Sequence, residues 1–216
     1  MTDNVYGTDL EIIEQVLQGD IEQFALLIRR NNPFLYKTAR SYGFGHEDAQ
    51  DLMQDTFVDA YCNLHKFEGR SAFKTWMIKI MLNNCYRKWH TSDFSRMKAA
   101  TIAEQSIPMF MNGNYNDTGS TVIRNELRLV VEEAVQRIPL AYRMVFSLRE
   151  ISGLNVEETA DTLNITAANV KVRLNRAKVM LRKEIEKVYS TGELFEFNLR
   201  FCDTMVEAVM DRIRKQ

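Results

Sequence analysis

The stretch Asn155–Leu181, NVEETADTLNITAANVKVRLNRAKVML, constrains the fold of this chain more than any other. Asn155 can cap a first helix, and Glu158 three residues later completes a pair of the capping-box kind. Val156, Thr159, Ala160 and Leu163 then recur at helical spacing along one face. Asn164 follows, a residue that tolerates the left-handed backbone needed to leave a helix. Thr166 can cap a second helix, with Val170, Leu174, Ala177 and Leu181 on its apolar side and Lys171, Arg173, Arg176, Lys178, Arg182 and Lys183 around the rest. Two short helices about a tight turn, the second strongly basic, form a helix-turn-helix, the geometry that lays a helix in the major groove of DNA. A plain basic helix on a solvated surface is the competing reading, but the caps, the turn and the charge agree on the first.

A chain of 216 residues holds one large or two small domains, and 45% hydrophobic residues suffice for packed cores. Only 9 Gly and 3 Pro punctuate it, which favours helices over many-turned sheets. No apolar run reaches the roughly 18 residues of a membrane span, and the polar start MTDNVYGTDLE has no signal-peptide pattern. A cytoplasmic location is therefore expected. Cys62, Cys85 and Cys202 are scattered, and His46, His65 and His90 lack metal-ligand spacing, so neither a metal nor another cofactor is expected. His65 stands three residues after Cys62, a pair too few for a site.

A net charge of −1 hides a segregated pattern. Between Gly45 and Tyr61 stand Glu47, Asp48, Asp51, Asp55 and Asp59 without a single Lys or Arg, whereas Lys66–Lys98 is predominantly basic. One surface thus suits a basic protein partner, and two suit nucleic acid.

Helical segments fill residues 8–91. The first is read with Asp9 as a cap and Leu10, Ile13, Val16 and Leu17 inside; a second runs from Phe24 past Pro33 to a stop at Gly43; a third covers about His46 to His65; a fourth runs from Ala72 to about Trp89. Residues 92–120 lose periodicity and read as a linker, 121–189 form a second helical domain, and 190–216 form an amphipathic tail.

The order of these motifs resembles the group IV, extracytoplasmic-function (ECF), sigma factors of bacterial RNA polymerase, within the sigma-70 family. The residues that carry the likeness are LQGDIEQFALLI (Leu17–Ile28), AQDLMQDTFVDAY (Ala49–Tyr61), FEGRSAFKTWMIKIMLNN (Phe67–Asn84), RIPLAYRMVFSLREISGLNVEETADTL (Arg137–Leu163) and NVKVRLNRAKVML (Asn169–Leu181). The resemblance implies an all-α protein: sigma region 2 for core polymerase and the −10 element, a flexible linker, and sigma region 4 with a helix-turn-helix for the −35 element. It implies a dissociable, non-enzymatic factor whose partners are core RNA polymerase, promoter DNA and an anti-sigma protein, which can hold it at the membrane. The short start and the linker of about 30 residues fit the smallest group of the family.

Residue roles follow from chemistry and likeness together. Asp51, Gln54 and Asp55 share an exposed face of the third helix; the resemblance implies that it docks on the clamp helices of the polymerase large subunit. Capturing the melted −10 strand requires aromatic stacking and a basic track, and Phe67, Arg70, Phe73, Lys74, Lys79, Asn83, Tyr86 and Lys88 supply both. Trp76 reads as core. Arg87 departs from the acidic or polar residue common in the family at that place. On the second helix of the helix-turn-helix, Asn169, Lys171, Val172, Asn175 and Arg176 lie opposite the apolar side, positioned to meet base edges, with Arg173 at the boundary as a phosphate clamp. Val172 suits a thymine methyl. A stand-alone helix-turn-helix regulator is the alternative, and it leaves the acidic helix and the aromatic loop without a purpose. No catalytic constellation is present for an enzyme reading.

Overall fold

The computed structural model describes residues 7–90 and 120–188, together with 210, 211, 213 and 214, and every described secondary element is helical. The first four helices are α1 (Asp9–Leu17), α2 (Phe24–Tyr42), α3 (His46–Cys62) and α4 (Phe73–His90). The second set comprises α5 (Ser120–Arg137), α6 (Leu140–Phe146), α7 (Val156–Leu163) and α8 (Ala167–Glu186), with a π-helical turn, Ser147–Ile151, continuing α6. The expected linker and tail lie almost wholly outside the described residues.

Thr8, rather than Asp9, caps α1. Its hydroxyl accepts from the Glu11 amide while Glu11 Oε2 receives the Thr8 amide. Asp9 is thereby freed for an ion pair with Arg30 at 2.7 Å. Ile12, Ile13 and Val16 point inward, and Leu10 and Leu17 stay exposed. Helix α2 ends at Gly43, whose φ of 110° only glycine adopts without strain. The turn delivers Phe44 into the core beside Tyr42 and Trp89.

Helices α2, α3 and α4 pack about Leu27, Leu35, Ala39, Ala49, Leu52, Met77, Ile78 and Met81. One polar seam crosses this core. Asn84 Nδ2 donates to Thr56 Oγ1 at 3.2 Å and to Asp59 Oδ2 at 3.0 Å, so the buried amide is satisfied and fixes α4 in register on α3.

The helix-turn-helix is held by the local devices its sequence contains. Asn155 and Glu158 form a reciprocal capping box, Asn164 adopts φ 52°, ψ 49°, and the Thr166 hydroxyl accepts the Asn169 amide. Val145, Ala160 and Val170 form its small buried centre, with Leu163, Ile165 and Leu174 around them. Asn164 is the only non-glycine with positive φ among the described residues. Asn164→Ala is expected to destabilise this domain by about 1 kcal/mol, because alanine lacks the local hydrogen bonding that makes the left-handed state tolerable for asparagine. Asn164→Gly should retain stability. Urea-unfolding midpoints of the two variants check this.

The two helical sets also dock on each other. Met144, Leu148 and Leu154 join the same apolar cluster as α2 and α4. Arg40 on α2 forms an ion pair with Glu132 on α5 at 3.1 Å, both side chains only 7% exposed. Ser147 Oγ donates to Ser41 Oγ at 2.6 Å, Gln136 Nε2 to the Arg40 carbonyl at 2.8 Å, and Arg143 to the Tyr42 carbonyl at 3.3 Å. Burial pulls the Arg143 guanidinium down to about 10, still a cation at neutral pH.

Candidate nucleic-acid interface

Three surfaces gather the residues singled out above. The first lies along α3. Asp51, Gln54 and Asp55 are all exposed there, at the mouth of a groove of about 470 Å³ whose other wall is Asn84, Arg87 and Lys88 of α4. Lys88 Nζ lies 2.6 Å from Asp48 Oδ1 and 3.9 Å from Asp51 Oδ2. Lys88, expected on a nucleic-acid track, therefore faces the acidic helix instead. Arg87 has the same orientation: it donates to Asn84 Oδ1 and reaches Asp59 Oδ2 at 3.4 Å. Its departure from the family pattern thus extends the polar seam between α3 and α4.

The second surface is the 66–72 loop with the outer stripe of α4. Phe67, Phe73 and Trp76 form a ring trio with centroids 5.3–5.6 Å apart. Phe73, 3% exposed, is the base of this trio and presents no free face to a nucleobase. It supports Phe67, which is half-buried, as is Trp76. Gly69, at φ 70°, bends the loop outward and leaves Arg70 exposed beside Glu68. Lys79, Asn83, Tyr86 and His90 then follow at steps of four, three and four, which places them on one face of α4. Tyr86 is 57% exposed and its ring centroid lies 4.0 Å from that of His90. Of the adjacent asparagines, Asn83 faces solvent and Asn84 the core. Lys74 is placed apart from this stripe. Its ammonium sits 4.7 Å over the Phe34 ring and donates to the Ser152 carbonyl at 2.8 Å.

The third surface is α8. Val170 and Ala177 are buried, while Lys171, Val172, Asn175 and Arg176 are exposed on the far side. Arg173 is half-buried at the boundary and donates from Nε to Asn169 Oδ1 at 3.0 Å, which aims the guanidinium along the helix edge. Arg176 Nη1 reaches Tyr142 Oη at 3.4 Å. Sequence reading passed over Val179, 55% exposed and two turns on from Val172; only its exposure distinguishes it from a core valine.

Among the described residues no three His, Cys, Asp or Glu side chains gather to hold a metal ion. Cys85 is buried, and that burial pushes its thiol up to about 12, so it stays protonated and inert. No helix among the described residues is long and apolar enough to cross a membrane.

Residues 27–93 match the family described as Sigma-70 region 2, and residues 128–181 match Sigma-70, region 4. The chain belongs to the sigma-70 family. The ECF sigma-E factor of Haemophilus influenzae is 26% identical over 183 residues, covering 83% of this chain and 96% of that protein. Among solved structures, CnrH in complex with the cytosolic domain of CnrY is similar at 25% identity and a TM-score of 0.60, covering 84% of this chain and 99% of CnrH. The sigma factor RpoE of Bartonella quintana, solved with the anti-sigma factor NepR, has the same fold at 23% identity and a TM-score of 0.58, covering 77% of this chain and 97% of RpoE. This ECF sigma factor is thus a transcription initiation factor and not an enzyme. Its region 2 contains both the acidic face of α3 and the outer stripe of α4, and its region 4 contains the helix-turn-helix. A stand-alone regulator accounts for the second match alone.

Proposed function

We propose that this sigma factor divides promoter recognition among the three surfaces. Asp51, Gln54 and Asp55 dock on the clamp of the polymerase large subunit, where opposite charge steers association and sets register more than it adds affinity. Phe67, Arg70, Lys79, Asn83 and Tyr86 take up the melted −10 strand by stacking and phosphate neutralisation, with Phe73 as the support beneath Phe67. Lys74, held on the Ser152 carbonyl, stands apart from this track. Asn169, Lys171, Val172, Asn175 and Arg176 read the −35 duplex, and Arg173 clamps its backbone. The observation that supports this division most directly is the outward stripe Lys79–Asn83–Tyr86, which has no core role and combines the charge, amide and ring that a single strand requires.

A protein inhibitor is a further proposed partner, since CnrH and RpoE were each solved bound to a second protein. We place the chain in the cytoplasm, where its polymerase and promoters are, with membrane association only through such an inhibitor.

Run-off transcription with purified core polymerase, on promoters mapped from transcript starts after overexpression, tests the proposal. The absence of any promoter-dependent transcript overturns it. Tyr86→Ala is expected to weaken capture of the non-template −10 strand about 10- to 100-fold, since a stacked base contributes about 1–3 kcal/mol. The exposed ring contributes little to folding. A fluorescent base in the −10 element reports the loss, while binding to a −35 duplex should be unchanged.

A further inference from the structure

The two ends of the strand-binding stripe are built alike, with one ring backing another. At the loop end Phe73 stands beneath Phe67, with ring centroids 5.3 Å apart. At the far end His90 backs Tyr86, with centroids 4.0 Å apart and planes tilted by 34°. Side chains four residues apart are neighbours on a helix face, and they lean toward the helix N-terminus. The imidazole therefore lies back over the phenol ring. The two ends differ in exposure. Phe73 is 3% exposed and belongs to the core, whereas both members of the outer pair are exposed, Tyr86 to 57%. Burial accounts for Phe73 and not for His90.

Two further contacts fix His90 itself. Its Nδ1 lies 2.8 Å from the Tyr86 carbonyl oxygen. A carbonyl only accepts, so Nδ1 carries the hydrogen and donates it there. Trp89, the preceding residue, packs on Tyr42 at 5.8 Å and on Phe44 at 6.0 Å, which pins the last turn of α4 to the core. The imidazole is thus tethered to a turn that is itself anchored, and it covers one face of the Tyr86 ring. His90 lies one turn beyond Tyr86 and Asn83 nearly one turn before it, so the uncovered face looks back toward Asn83. The Asn83 amide is exposed there and can both donate and accept.

We propose that His90 is a positioning residue for the −10 strand: it holds the Tyr86 ring and closes its far face, so that a nucleobase stacks only on the Asn83 side. The proposal rests on the strand-capture reading of this stripe given above. An exposed ring that turns freely loses rotamer freedom when a base settles on it, and that loss is subtracted from affinity. A ring already held has lost that freedom on folding. The covered face also ends the track, because no second base can stack beyond Tyr86 without displacing the imidazole.

Holoenzyme assembled from core polymerase and each full-length variant, with a fluorescent base in the −10 strand, provides the test. His90→Ala should weaken strand capture about 3- to 10-fold, the range set by ordering one side chain. In a chain already carrying Tyr86→Ala the same substitution should change nothing, because the ring it positions is gone. His90→Phe, which keeps a ring at that place, should recover most of the loss. The salt dependence of capture should be the same for wild type and His90→Ala, since no phosphate contact is removed. An equal loss in both backgrounds, a shallower salt slope, or a His90→Phe chain as weak as His90→Ala overturns the positioning role. So does full capture by His90→Ala where Tyr86→Ala is weak. If Tyr86→Ala itself captures the strand normally, the strand-binding reading of the stripe fails, and the positioning role with it.

Discussion

Asp51→Lys combined with Asp55→Lys should cost this sigma factor its polymerase, lowering affinity for the core enzyme by about 100-fold or more, since like charges set against each other cost several kcal/mol. The thermal midpoint should barely move. The Asp51 side chain is 69% exposed, and Lys88 approaches it only to 3.9 Å, lying nearer to Asp48 at 2.6 Å. Asp55 is exposed as well. Surface changes of this kind usually shift stability by no more than about 0.5 kcal/mol. The wild-type affinity should fall as salt rises, because the exposed charges that steer the encounter are screened. The residual binding of the double variant should lose that salt dependence. Competition of labelled wild-type and variant chains for purified core polymerase measures both effects. Unchanged affinity moves the docking face off α3.

What the sequence made legible was whatever is decided within a few residues. Asn155, Asn164 and Thr166 each act through a neighbour three or four positions away, and the helix-turn-helix stands as read. The all-helical class follows from the same local periodicity. Even here a one-residue choice failed at Thr8 and Asp9: both residues are good caps, but the Thr8–Glu11 spacing is that of a capping box, and Asp9 pairs instead with Arg30, 21 positions away. Choices between faces of a partly buried helix were harder. Phe73 and Trp76 are both aromatic on α4, and nothing local says that Phe73 lies beneath the 66–72 loop. Lys88 has the composition of a phosphate ligand but the position of an α3 partner. Least legible was the docking of the two domains. Arg40 and Glu132 are 92 positions apart and carry no periodic signature, and the serines that meet at 2.6 Å are indistinguishable in sequence from surface serines. Contacts of that kind arise from the third dimension alone.

The Arg40–Glu132 pair gives the second large effect, and its sign separates a charge switch from simple adhesion. Both side chains are 7% exposed. Glu132→Ala leaves the Arg40 guanidinium buried without its carboxylate in the docked form, at a cost of about 3–5 kcal/mol, whereas in the open form Arg40 is hydrated and little is lost. The free chain should therefore open. The thiol of a Ser147→Cys reporter, buried between the docked domains, should react with a maleimide about 100-fold faster or more, the ratio that 3 kcal/mol implies. Arg40→Met combined with Glu132→Leu removes both charges and fills the space with apolar side chains, an exchange that is often neutral or stabilising. That double variant should close again, with the reporter returned to slow reaction. The Arg40 guanidinium also donates to the Phe44 carbonyl at 3.0 Å, so the double variant gives up that bond within region 2 as well. If the single and double variants open equally, the ion pair is adhesive rather than a buried charge waiting for water. If the single variant stays closed, the apolar contacts of Met144, Leu148 and Leu154 hold the domains together without it.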